Sequence, residues 1–279
     1  MTDIHIHESS ASSSSSPPRV KTPPKTKAFP VPFFYSPSDD GTDENLLILL
    51  HGLGDTHIPF SKLGMQLKLP QTAVLALRAS EQVPFLYEES YQWYQSFDDL
   101  GEMIERPNPT VGIDLLSKVV DYLVKECKWP PNRIHFFGFA QGGSMASEFG
   151  VHWWRQQLQS TKVLPASGDS MSTPPVLSAL GSIISISGPL LSYPTLSTLC
   201  PTPVLVVHRP PPAEPSLPAG SLTAFKKAYH SVSQVKLSAK GAGMPSSKEE
   251  WEPIMRFWSE KLGRRQVEGL YEVISGLST

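Results

Sequence analysis

Cysteine is almost missing from this chain of 279 residues, and the two present, Cys127 and Cys200, stand far apart. They form no pair at metal-binding or redox spacing, which excludes a disulfide framework, a zinc site and a Cys-x-x-Cys centre. Reduced thiols in a cytoplasmic protein are the expectation. Blocks of one charge are missing too: 24 Lys and Arg face 26 Asp and Glu, a net charge of −2. No basic stretch can track a phosphate backbone or an anionic membrane surface, so nucleic acid is not an expected partner. The apolar runs, such as "LLILL" at Leu46 to Leu50, fall far short of the roughly 18 residues of a spanning helix. The first residues, "MTDIHIHESSASSSSS", lack the basic patch and apolar core of a secretory signal. No G-x-G-x-x-G turn is present for a dinucleotide, and neither a metal nor another cofactor is expected.

What is present is an alternation of strands and helices. Residues 1–30 are Ser, Pro, Thr and Lys with few large apolar side chains, a composition that reads as a disordered tail. Then come "NLLILLHG", "TAVLALRA", "RIHFFGF", "GSIISISG", "TPVLVVH" and "SQVKLSA". Short, continuously apolar runs of this kind suit strands covered on both faces, hence a mostly parallel sheet. Between them, "TVGIDLLSKVVDYLVKECK" places Ile113, Leu116, Val120, Leu123 and Val124 on one side of a helix, with Thr110 as N-cap and Pro130-Pro131 as stop. "SKEEWEPIMRFWSEKL" repeats that pattern near the C-terminus. One doubly wound α/β domain over residues 31–265 is therefore expected. A polar surface insertion at 155–177 and a C-terminal extension at 266–279 complete the layout.

Two glycine-rich turns carry the chemistry. "RIHFFGFAQGGSMASEFG", Arg133 to Gly150, is a strand running into a helix through a tight turn, the form of a nucleophile elbow. Its central residue is forced to φ > 0 and lifted above the sheet. Gly138, Gly142 and Gly143 supply the room, and Ala140 is the central residue. The second turn, "LLILLHGLGD", ends a strand in a loop of His51, Gly52, Leu53 and Gly54 that can aim backbone N–H groups at an oxyanion.

In this order the motifs resemble the phospholipase/carboxylesterase family of α/β hydrolases, which includes acyl-protein thioesterases. The similarity runs through "LHGLGDT", "LKLP", "YQWYQSFDD", "GFAQGG", "SGPL", "TPVLVVH" and "GMPSSKEEWEPIMRFW". It implies a single α/β-hydrolase domain with seven or eight mostly parallel strands and a Ser-Asp-His triad. It also implies an oxyanion hole from the N–H groups of Leu53 and Gln141. The triad itself is degenerate. Ala140 occupies the nucleophile position. Where the family reads H-G-x-x-D-P, this chain reads "HRPPPAEP", so Glu214 is the acid candidate only with an insertion. The loop expected to hold the histidine, "KGAGMP" at Lys240 to Pro245, has none. Ser144, Ser187, His51, His208 and His230 all read as structural.

Two functions remain open. One is a non-catalytic protein that binds a small acyl or ester ligand, or an acylated protein, on a hydrolase scaffold. The other is an active carboxylesterase or acyl-protein thioesterase with a rearranged site. A purely structural scaffold with a collapsed pocket is a third reading, beside these two functions. The sequence carries no signal for oligomeric state.

Overall fold

The computed structural model describes residues 19–84, 89–162 and 177–265. Its strands are β1 (Phe33–Ser36), β2 (Asn45–Leu50), β3 (Thr72–Leu77), β4 (Glu81–Gln82), β5 (Tyr91–Gln92), β6 (Ile134–Phe139), β7 (Ser182–Ile186), β8 (Val204–His208) and β9 (Val232–Lys236). Seven of them form one sheet in the order β1-β3-β2-β6-β7-β8-β9, while β4 and β5 pair only with each other. Every neighbouring pair in the large sheet is parallel except β1 with β3.

The continuous apolar runs are explained by what covers them. In β2, Leu46, Ile48 and Leu50 face one layer and Leu47 and Leu49 the other. The first layer is built by α2 (Thr110–Lys125), α3 (Gln141–Lys162) and α4 (Ser221–Ala228), the second by α1 (His57–Leu67) and α5 (Lys248–Lys261). A parallel strand buried on both faces has no polar side to show. On α2 the buried stripe is Leu115, Leu116, Val119, Val120 and Leu123, so Ile113 and Val124 lie at its margins. Thr110 is the first helical residue instead of the cap. Its N–H and hydroxyl both donate to Asn108 Oδ1, at 3.1 and 2.6 Å.

The domain edges differ from the sequence reading in two places. Residues 19–30, expected in the tail, are packed on the domain. The Lys21 N–H donates to the Asp43 carboxylate at 2.8 Å. Phe29 is buried against Phe33 and Tyr122, with ring centroids 4.8 and 5.6 Å away. The Arg19–Thr42 bridge and Lys21 above the Trp129 ring hold the segment as well. Residues 155–162, expected to open the insertion, continue α3. Residues 1–18 of the expected tail, 163–176 of the insertion and the extension at 266–279 lie outside the described residues.

Because the strands run parallel, the C-terminal ends of β2, β3, β6, β7 and β8 form one edge. Ligands of open α/β sheets bind along such an edge. His51, Arg78, Ala140, Ser187 and Arg209 follow those strand ends.

Candidate functional site

β6 ends at Phe139, α3 begins at Gln141, and Ala140 between them has φ 48°. For a residue with a Cβ this left-handed conformation costs about 1–2 kcal/mol, so the surroundings must hold it. The Ala140 N–H donates to the Ile186 carbonyl at 2.8 Å, and its own carbonyl accepts from Ser144 N–H at 3.0 Å. The turn closes too tightly for side chains on either flank. A Cβ on Gly138 would lie 2.2 Å from the Gly142 carbonyl oxygen, and one on Gly142 would lie 2.3 Å from that of Leu50. At the first position of α3, the Gln141 N–H has no partner one turn earlier.

The second turn is built around His51, which is fully buried. Its Nε2 accepts from Ala79 N–H at 3.0 Å, so Nδ1 carries the proton and donates to the Gly52 carbonyl at 2.7 Å. Burial pushes its pKa down to about 4. With both nitrogens engaged, this imidazole fixes the loop and is no base. Trp93 then joins the two turns: its indole donates to the His51 carbonyl at 2.8 Å and its N–H to Gln141 Oε1 at 2.9 Å. Gln141 Nε2 reaches on to the Tyr94 carbonyl and Ser96 Oγ, at 3.0 and 2.7 Å. The loop of His51 and the start of α3 are thus joined through Trp93, with Leu53 exposed at the loop tip and Gly54 turning at φ 80°.

The other two triad positions are not assembled. The Glu214 side chain is exposed, and its contribution is a backbone carbonyl that accepts from Gly243 N–H at 3.2 Å. Arg209, unremarked in the sequence reading, fills the space between these loops. It is 1% exposed and donates to the Ser238, Gly243 and Met244 carbonyls and, through both terminal nitrogens, to the Glu250 carboxylate at 2.6 and 2.8 Å. Hydrogen bonding to Arg209 holds the Glu250 pKa down to about 2. The histidine loop is therefore tied down by a guanidinium, standing where the family pattern has glycine after His208.

No described serine beside the elbow meets an imidazole. Ser144 is fully buried, and the side chain its hydroxyl meets is the Tyr94 phenol. Ser187, expected to hydrogen-bond locally, instead follows β7 at φ 54° with its Oγ buried and unpartnered. His208 Nε2 pairs with the Gln234 amide at 2.8 Å, and His230 is exposed before β9, at the opposite edge. One hydroxyl–imidazole pair does exist, Ser182 Oγ to His135 Nδ1 at 2.8 Å. Both residues are fully buried near the starts of β6 and β7, and burial pushes the His135 pKa down to about 3, so neither access nor basicity suits it to catalysis. A groove of about 660 Å³ is lined by Phe29, Val31, Phe33 and Tyr35 along β1 and includes no residue of the elbow.

The phospholipase/carboxylesterase pattern matches residues 36–175, and an uncharacterized hydrolase of Mycosarcoma maydis is 36% identical over 231 residues, 82% of this chain and 80% of that one. The chain belongs to the phospholipase/carboxylesterase family. Solved structures share the fold at lower identity. Esterase PE8 aligns with a TM-score of 0.61 at 21% identity, covering 83% of this chain and 98% of its own. Zea mays acyl-protein thioesterase 2 gives 0.59 at 19%, covering 83% and 99%. Among the described residues of this family member no helix is long and apolar enough to cross a membrane, and no cluster of His, Cys, Asp or Glu suits a metal.

Proposed function

We propose that this family member is a non-catalytic binding protein whose elbow and Leu53–Gln141 corner hold a small acyl or ester ligand, or the acyl group of a modified protein. The observation that carries the reading is Ala140 itself, a methyl group at φ 48° in the position where the family mounts its nucleophile. A backbone N–H pair survives any side-chain change and can still receive a carbonyl or carboxylate oxygen, while an acyl-enzyme cannot form through residue 140. Cys127 and Cys200, buried and unpaired, accord with a cytoplasmic setting.

One observation favours the alternative of an active carboxylesterase or thioesterase. Ser187 has a buried, unbonded hydroxyl and a positive φ, one residue beyond the Ile186 carbonyl that receives the Ala140 N–H. Fluorophosphonate labelling of the unmodified protein separates the two. The expected result is no adduct and ester turnover at background. A stoichiometric adduct mapped to Ser187 or any other serine overturns the non-catalytic reading.

A further inference from the structure

Arg78 follows β3 at the C-terminal edge of the sheet and has no counter-charge among the described residues. It enters none of the ion pairs among the described residues, and its Nε is buried and unbonded. Arg209, on the same edge, shows what a structural arginine does: it spends its fork on five hydrogen bonds. Leaving a buried donor unmet costs about 1–3 kcal/mol, so an orphaned one in a native structure calls for an explanation, of which an absent ligand is one.

Its location says what that ligand touches. The guanidinium carbon lies 3.9 Å above the Tyr91 ring, and the Tyr91 carbonyl accepts the Gly54 N–H at 2.9 Å. The next residue, Ala79, is bonded to His51. Arg78 is thereby fastened on two sides to the loop that presents Leu53. His57, the first residue of α1, adds a second unmet group: its Nδ1 is buried without a partner. The Arg78 charge reaches it, and together with burial holds its pKa below the usual value. Glu89, whose field also reaches His57, is exposed and is no ion-pair partner of Arg78. Since Tyr91 covers one face of the guanidinium, the in-plane edge remains for a planar oxyacid, a geometry that a carboxylate meets with two parallel hydrogen bonds.

We propose that Arg78 and His57 form an anion subsite beside the Leu53–Gln141 corner, and that the ligand of this chain carries a carboxylate. The subsite rests on the corner being a binding site, and the test keeps the two apart. Calorimetric titration of the full chain with sodium butyrate, at fixed ionic strength, is compared with sodium phosphate and repeated on Arg78→Met, Arg78→Lys and Ala140→Leu. Methionine keeps an apolar stem over Tyr91 and removes the fork; should it fail to fold, Lys, which keeps charge without the fork, carries the comparison. Expected are butyrate binding tighter than phosphate, a loss of at least about tenfold in Arg78→Met, a smaller loss in Arg78→Lys, and a loss in Ala140→Leu. Loss in Ala140→Leu with Arg78 variants unchanged overturns the subsite and leaves the corner standing. Loss in the Arg78 variants alone upholds the subsite and overturns the corner. Tighter phosphate binding overturns the carboxylate assignment, and absence of any binding overturns both readings.

Discussion

At φ 48° Ala140 keeps a backbone that makes sense only for a side chain worth lifting, and a methyl group is not one. Replacing it with glycine relieves the left-handed strain while loosening the unfolded chain. Ala140→Gly should therefore raise stability by about 0.5–1 kcal/mol, read from urea unfolding; a destabilised variant would mean the surroundings, not residue 140, set this turn. Ala140→Ser alone should leave hydrolysis of p-nitrophenyl acetate at background, for want of a base. The structure also separates two positions for a base. A side chain at Gly241 would meet the Arg209 guanidinium at 2.6 Å, whereas one at Gly243 has only the tip of Phe139 near it, at 3.7 Å, but must take the left-handed backbone of that residue, φ 63°, at a cost of about 1–2 kcal/mol. Gly243→His with Ala140→Ser should exceed the sum of the single variants, as for groups that act as a unit. Strict additivity would show that the two positions do not converge.

Between elements, the pairing of Arg209 with Glu250 ties α5 to the end of β8, and the same guanidinium holds the loop after β9 through the Ser238, Gly243 and Met244 carbonyls. Glu250 is harder to protonate in the folded state, at a pKa of about 2, than in the unfolded chain. The stability it supplies is complete above about pH 5 and fades as the pH falls toward 2. Glu250→Gln strands a buried guanidinium, for which about 3 kcal/mol is the expected loss at neutral pH. Its melting temperature should also respond less to acid over that window than the parent's; an equal response would place the acid sensitivity elsewhere. The sequence showed β2, β3, β6, β7 and β8 plainly because each is buried on both faces, and it showed the elbow because glycines at 138 and 142 leave a legible mark. β1 escaped it, being four half-buried residues set among prolines. Arg209 and Arg78 escaped for another reason: a charged residue at a strand end looks like solvated loop, and only coordinates tell a saturated guanidinium from an idle one.

For the molecule as a whole, the docking of Lys21 and Phe29 separates two truncations. Deleting residues 1–18, which carry few large apolar side chains, should leave the melting temperature in place. Deleting residues 1–30 removes Phe29 and the Lys21–Asp43 bond, a loss of about 2–3 kcal/mol from the aromatic alone. Equal melting temperatures for the two would show that Phe29 docks without stabilising. A consequence of wider reach lies in the bonds from His51 to Ala79, Trp93 to His51 and Trp93 to Gln141, which join points 28, 42 and 48 residues apart. Mobile lids and gates exchange their amide protons in local openings. Here the Ala79 and Trp93 amides are held by the buried His51 and Gln141 side chains between β2, β3 and α3, so they should persist as long as the slowest amides of β6. A corner so braced would not mould itself to the ligand proposed for it: it would accept or refuse that ligand in the shape it already has.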